Sequence, residues 1–236
     1  MGRVLFVTGT DTGVGKTFLT CLLLRHLRDG GVNALAVKPF CTGDLLDAKL
    51  LREHQDGALK LAEITPFFYP WPVAPLVAAR RKRQIIQLEQ VMAHVEAIRQ
   101  RCEVLLVEGC GGLLVPLGER FSVLDLIAGL RCGVVMVAPN RLGTVNHTLL
   151  SLRAMESRGL KSPTLVLMGA RKPDPSQKDN AKIIAEFGSP VRVIPLPFLG
   201  GNVFAKRSIA KSCKKLQKPL AEIVAEGILA ARSANN

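Results

Sequence analysis

At 236 residues, 48% hydrophobic but only 5% aromatic, the chain can bury a full core, and its aliphatic bias argues against a β-sandwich. The formal net charge is +13, concentrated in Arg80-Arg81-Lys82-Arg83 and between Lys206 and Lys218. Neither cluster is interleaved with aromatics that could stack on bases, so nucleic acid is not the expected partner, and no apolar run approaches the roughly 20 residues that span a bilayer.

In chain order, Arg3 to Thr8 is a β-branched run that ends in a Gly-rich turn. Thr17 to Leu27 carries apolar residues on a helical period and stops at Asp29-Gly30-Gly31. Asn33 to Val37 reads as a strand, and Asp44 to Leu61 as a helix broken near Asp56-Gly57. Four prolines make Thr65 to Pro75 irregular, since proline lacks a donor and fixes φ. Helices follow at Gln87 to Arg101, Val123 to Leu130, Thr144 to Arg158, Ser176 to Phe187 and Leu216 to Arg232. Strands alternate with them at Glu103 to Val107, Val134 to Ala138, Thr164 to Met168 and Val191 to Ile194. This alternation predicts one α/β domain over residues 1–236, a parallel sheet with helices on both faces. Ligands in such sheets lie beyond the carboxyl ends of the strands, so the residues that follow each strand are the candidates for chemistry. The six cysteines form no C-x-x-C pair, which suits free thiols in a reducing, cytoplasmic setting.

The first strand runs into Gly9-Thr10-Asp11-Thr12-Gly13-Val14-Gly15-Lys16-Thr17 and then directly into a helix. Backbone N–H groups of such a loop cradle phosphate oxygens, and the helix N-terminus adds positive potential. Lys16 is placed to reach β- and γ-phosphates, and the Thr17 hydroxyl to ligate Mg²⁺. The strict phosphate-loop pattern calls for glycine where Thr10 stands, so the loop is a variant. The second strand ends at Lys38, where a fixed ammonium can stabilise a transferring phosphoryl group. Glu108 closes another apolar strand and precedes Gly109-Cys110-Gly111-Gly112, the usual place for a metal-organising carboxylate.

The string from Thr8 to Thr17 resembles the signature of dethiobiotin synthetases and of close relatives in cobalamin biosynthesis. Chromosome-partitioning ATPases have a similar loop but carry a lysine where this chain has Asp11. Lys38-Pro39-Phe40-Cys41-Thr42-Gly43 is similar to the family's K-P-x-x-[ST]-G, and Glu108 to Gly112 to its E-G-A-G-G. Ala74-Pro75-Leu76-Val77-Ala78-Ala79 resembles S-P-x-x-A-A, and Leu142-Gly143-Thr144-Val145-Asn146-His147 resembles L-G-x-x-N-H. The resemblance runs from about residue 3 to 200.

It implies an ATP-driven, Mg²⁺-dependent ligase that joins 7,8-diaminononanoate and CO₂ (supplied as bicarbonate) into dethiobiotin, with Lys16 and Lys38 as catalytic cations. It implies nucleotide contacts from Gly13, Val14, Gly15, Lys16, Thr17, Asp56, Glu108, Gly109, Cys110 and Gly111. Thr17, Asp56 and Glu108 become the metal set; Asp56 matches an Asp-Ala pair in the family, with Asp44 and Asp47 as competing carboxylates. Thr12, Thr42 and Pro75 would contact the diamine. Leu142, Gly143 and Asn146 would hold its carboxylate in the partner subunit's site, which implies a homodimer and leaves His147 a structural role. Two departures fall on the base side: Met168-Gly169 stands where the family places asparagine, and Leu199-Gly200-Gly201-Asn202-Val203 lacks its proline. Relaxed base discrimination is the expectation. The competing reading is a regulatory P-loop ATPase that binds nucleic acid through the basic surface.

Overall fold

The computed structural model describes residues 2–172, 174–188, 190–200 and 203–232. Ten strands and ten α-helices are described. Their chain order is β1 (Arg3–Gly9), α1 (Lys16–Asp29), β2 (Ala34–Val37), β3 (Phe40–Thr42), α2 (Leu46–His54), α3 (Leu61–Ile64) and β4 (Phe67–Tyr69). Then come α4 (Pro75–Arg81), α5 (Leu88–Arg99), β5 (Val104–Gly112), β6 (Pro116–Gly118), β7 (Phe121–Ser122), α6 (Val123–Leu130) and β8 (Gly133–Pro139). The remainder is α7 (Thr144–Ser157), β9 (Thr164–Met168), a 3-10 turn at Pro175–Lys178, α8 (Asn180–Phe187), β10 (Arg192–Leu196), α9 (Lys206–Lys215) and α10 (Gln217–Arg232).

Six strands form one parallel sheet in the order β10-β9-β8-β1-β5-β2. β1 is central, and six of its seven residues are buried, as the run Val4-Leu5-Phe6-Val7 requires of a strand covered on both faces. α1 packs against α2, α9 and α10, while α5 and α6 lie against β5. The chain leaves β1 toward β2 on one side, and β8 flanks β1 on the other, so the crevice above β1 is a topological switch point.

The expected parallel α/β sheet is present, and α6 and β9 match their predicted bounds. Other elements differ for physical reasons. The predicted break near Asp56-Gly57 is present, since both take positive φ, but the helix does not resume within the segment: α2 ends at His54 and α3 starts only at Leu61. The segment expected to be irregular contains β4, which pairs in parallel with β3, and Phe40 stacks on Phe67 at a centroid distance of 4.9 Å. The helix expected from Ser176 starts instead as a 3-10 turn, with the Asp174 side chain accepting from the Ser176 backbone N–H. α9 was legible only as a basic cluster, because its apolar face is just Ile209 and Cys213. Among the described residues, no helix is long and apolar enough to cross a membrane.

Candidate active site

The carboxyl end of β1 opens into the loop that ends at Gly15, whose φ of 102° is left-handed and places it as the N-cap of α1. A side chain there would be strained, so glycine lets the chain turn into a helix with its first N–H groups free. Leu19 is the first residue of α1 whose N–H finds the carbonyl four residues back, that of Gly15, leaving the preceding N–H groups for a ligand. Lys16 folds over the loop and donates from Nζ to the Asp11 carbonyl at 2.7 Å. Asp11 therefore helps to shape the loop through its backbone.

Lys38 follows β2 directly and is buried, its backbone N–H donating to the Ile64 carbonyl. Its ammonium donates to Glu108 Oε1 at 2.7 Å and to the Asp47 carboxylate. Thr17 Oγ1 donates to the same Glu108 Oε1 at 2.7 Å. Burial by itself would lower the Lys38 pKa, but the charges of Glu108 and Asp47 outweigh it and raise the pKa above its ordinary value. Asp47 moves down: burial opposes ionisation, but the Lys38 ammonium beside it prevails. Lys16 has its pKa lowered, first by burial and then by the positive charge of Lys38. Cys41 lies near Lys38 and Cys110 near both lysines, yet burial dominates: it pushes Cys41 up to about 11 and raises Cys110 as well. Both thiols stay protonated at neutral pH.

A cavity of about 390 Å³ covers this arrangement. Thr12, Gly13, Gly15, Lys16, Thr17, Lys38, Thr42, Cys110 and Gly111, all expected site residues, line it. Glu108 sits beneath the lining, fully buried, with its second oxygen Oε2 lacking any hydrogen-bond partner among the described residues. Gly109, within β5, lies against Phe6, where a Cβ would come within 2.9 Å of Phe6 Cε1. Val14 has a buried side chain and can offer only its backbone.

Three expectations are placed elsewhere. Asp56, expected as a metal ligand, is 63% exposed and paired with Lys206 at 2.8 Å and Arg28 at 3.4 Å, outside the cavity lining. The carboxylate that reaches the lysine and threonine is Asp47. Asp47-Ala48 is an intact Asp-Ala pair, whereas Gly57 separates Asp56 from Ala58, so the signal was present in the sequence. Pro75 is buried as the first residue of α4 and does not line the cavity. Leu142, Gly143 and Asn146 are exposed at the start of α7, also outside this chain's cavity. The base-side expectation falls partly on Gly201 and Asn202, which lie outside the described residues. Met168 is half-buried, and its side chain packs toward Gly15. Besides the competing carboxylates Asp44 and Asp47, four lining residues were not expected as site residues: Phe40 and Cys41, which fall inside the motif that starts at Lys38, and Phe18 and Phe204, which fall in none.

No group of three or more His, Cys, Asp or Glu side chains is placed to hold a metal among the described residues. The oxygens present, from Thr17, Asp47 and the partnerless Glu108 Oε2, are hard donors that suit Mg²⁺, which commonly uses one or two carboxylates together with substrate phosphates and water.

The profile of a family described as an AAA domain matches residues 3–201. Two solved structures share the fold: pNOB8 ParA bound to nonspecific DNA (TM-score 0.60, 11% identity, 99% of each chain) and the MinC:MinD cell division complex of Aquifex aeolicus (TM-score 0.60, 16% identity, 98% of this chain and 95% of that one). Among curated proteins, the chain is 42% identical over 200 residues to the ATP-dependent dethiobiotin synthetase of Anaeromyxobacter dehalogenans strain 2CP-C, covering 82% of this chain and 90% of the relative. It is 37% identical over 204 residues to that of Bacillus subtilis strain 168, covering 84% and 86%. With its phosphate loop, strand-end lysine and buried carboxylate in one cavity, and with relatives this similar over most of its length, the chain belongs to the ATP-dependent dethiobiotin synthetase family.

Proposed function

We propose that the protein closes the ureido ring of dethiobiotin from 7,8-diaminononanoate, CO₂ and ATP, releasing ADP and phosphate. The observation that carries this reading is the buried Lys38 ammonium, held by Glu108 and Asp47 at the edge of the phosphate loop. The carboxylates of Glu108 and Asp47 raise its pKa and favour the charged ammonium, which suits Lys38 to the role of a fixed cation. In the reaction one amine of the diamine becomes a carbamate. The γ-phosphoryl group activates a carbamate oxygen, and the second amine attacks the carbonyl carbon and expels phosphate. The work of the protein is positioning and charge stabilisation. Lys38 and Lys16 face the phosphoryl and carbamate oxygens. Gly13, Val14, Gly15, Lys16 and Thr17 offer backbone donors to the phosphates. Thr12 and Thr42, which line the cavity, would contact the diamine.

Thr17, Asp47 and Glu108 would hold Mg²⁺, which when bound neutralises phosphate charge. Asp47 replaces Asp56 in this set. Leu142, Gly143 and Asn146 at the start of α7 would bind the diamine carboxylate in the site of a second subunit, where free helix N–H groups suit an anion. A homodimer of one-domain subunits acting in the cytoplasm follows from this reading. Incubation with the diamine, bicarbonate, Mg²⁺ and ATP is expected to give dethiobiotin by mass with stoichiometric phosphate release. Phosphate release without ureido product would remove the assignment.

A further inference from the structure

The turn into α7 is pinned by a side chain from the segment that follows β9. The N–H groups of this turn fall into two sets. Arg141 N–H donates to the Pro139 carbonyl at 3.0 Å, Thr144 N–H to the Arg141 carbonyl at 3.1 Å and His147 N–H to the Gly143 carbonyl at 3.3 Å. Leu142 N–H donates instead to a side-chain oxygen, Asp174 Oδ2, at 3.1 Å. The N–H groups of Gly143, Val145 and Asn146 have no partner among the described residues. Of the three residues assigned to the diamine carboxylate, Leu142 therefore has its donor occupied, and the open donors are those of Gly143, Val145 and Asn146.

Asp174 is itself held from behind. Its other oxygen, Oδ1, accepts from the Ser176 backbone N–H at 2.9 Å and from the Ser176 hydroxyl. The Ser176 hydroxyl, seconded by the two N–H groups and the charge of Arg141, lowers the Asp174 pKa and keeps the group a carboxylate. Asn180, buried at the start of α8, ties the same two segments together again: its amide donates to Asn140 Oδ1 at 2.9 Å and to Ser176 Oγ at 3.2 Å. The Asn140 N–H in turn meets the Met168 carbonyl at 2.8 Å. The Asp174–Leu142 bond thus joins two anchored segments. It immediately precedes Gly143, the N-cap of α7, whose φ of 90° is left-handed. Fixing the Leu142 peptide fixes the direction in which the open N–H groups point. The charge of Asp174 opposes a second carboxylate, but the residue is only half-buried and solvent screens that repulsion, whereas the hydrogen bond acts on the turn directly.

We propose that Asp174 is a positioning residue for the diamine substrate: by holding the Leu142 N–H it aims the N–H groups of Gly143, Val145 and Asn146 at the substrate carboxylate in the second subunit's site. This role rests on the reading of the α7 start as the carboxylate seat and adds the group that sets the geometry of that seat. The substrate carboxylate is remote from the two amines and takes no part in ring closure. Binding lost there is shared by the ground and transition states, so it raises KM and spares kcat.

Steady-state kinetics of the full chain test this, with the diamine and Mg·ATP varied in turn and with 2,3-diaminononane, in which a methyl group replaces the carboxylate, as the comparison ligand. Asp174→Ala is expected to raise the diamine KM by roughly two- to tenfold, the worth of one hydrogen bond, with kcat and the KM for ATP unchanged. Asp174→Asn keeps an oxygen that can accept from the Leu142 N–H and should restore most of the loss. Ser176→Ala should show a smaller loss of the same pattern. Affinity for 2,3-diaminononane, which has no anion to seat, should be the same in every variant. An unchanged diamine KM in Asp174→Ala overturns the proposal, as does an equal loss for 2,3-diaminononane or a loss spread over kcat and the KM for ATP. Tighter diamine binding in both Asp174 variants would overturn it too, by showing that charge repulsion outweighs positioning. A wild-type protein that neither binds nor converts the diamine would remove the ligase reading together with this role. Wild-type turnover with an indifferent Asp174→Ala would remove the role alone.

Discussion

On one part of the cavity wall, Lys38 rests on Glu108 and Asp47 while Thr17 shares the Glu108 oxygen; on another, the rings of Phe18 and Phe204 meet edge to face. In the first region Lys38, Glu108 and Thr17 are buried and Asp47 is half-buried, and the contacts are charged or hydrogen-bonded and directional. The second is apolar and held in place from behind by His54. A fixed cation in a water-poor site stabilises developing charge strongly, whereas an aromatic face holds a nucleoside without specifying it. Substitutions in the first region should therefore act on turnover, and those in the second on affinity.

The largest expected effect comes from removing the cation. Lys38→Met should lower kcat by about a hundredfold or more, the scale of losing one preorganised electrostatic donor. Retention of more than about a tenth of wild-type kcat, roughly 1.4 kcal/mol of barrier, would take Lys38 out of the chemistry. The same substitution leaves the buried Glu108 carboxylate without its partner. A lowered melting temperature in the absence of Mg·ATP is the accompanying expectation.

The charged region was far more legible in the sequence than the apolar one. Lys38 directly follows β2, Glu108 lies in the carboxyl-terminal half of β5, and Lys16 and Thr17 open the helix after the loop of β1; a parallel sheet aligns its strand ends, so local pattern predicts their convergence. Asp47 was missed for Asp56 because spacing along a helix that breaks at a positive φ does not track position in space. Phe204 had no local signal. It reaches the cavity through contacts with residues 150 and 186 positions earlier, His54 and Phe18. β4 was hidden for a similar reason: its partner β3 lies across an intervening pair of helices.

A second experiment separates the two aspartates. Asp47→Asn should raise the Mg²⁺ concentration for half-maximal activity by about tenfold or more, as loss of a supporting carboxylate commonly does. Asp56→Asn should leave that concentration unchanged. An unchanged Mg²⁺ requirement in Asp47→Asn would remove it from the metal set.

Met168→Asn sharpens the apolar region. An amide at the strand end adds one hydrogen-bonding group near the nucleoside, with a net value of about 1 kcal/mol, or roughly fivefold. The expected outcome is a rise in ATP over CTP preference of that size in kcat/KM. A change in kcat alone, with the preference constant, would place the nucleoside elsewhere.

The smallest effect concerns the thiols. Cys41 keeps its proton to about 11 in the folded protein, against 9.0 when exposed, because burial outweighs the nearby Lys38 ammonium. A raised folded pKa contributes stability that is present below pH 9 and fades as pH rises toward 11. The urea midpoint should therefore fall between those values, and fall less steeply in Cys41→Ala. Parallel slopes for the two proteins would show that Cys41 does not titrate on unfolding.

The difference between the two regions is tested most directly by kcat/KM for ATP, GTP and CTP, measured side by side with diamine, bicarbonate and Mg²⁺. Charge recognition of the phosphates with stacking of the base predicts values within about tenfold of one another. A preference for ATP above roughly a thousandfold, about 4 kcal/mol, would mean that a polar group reads adenine and would contradict the account.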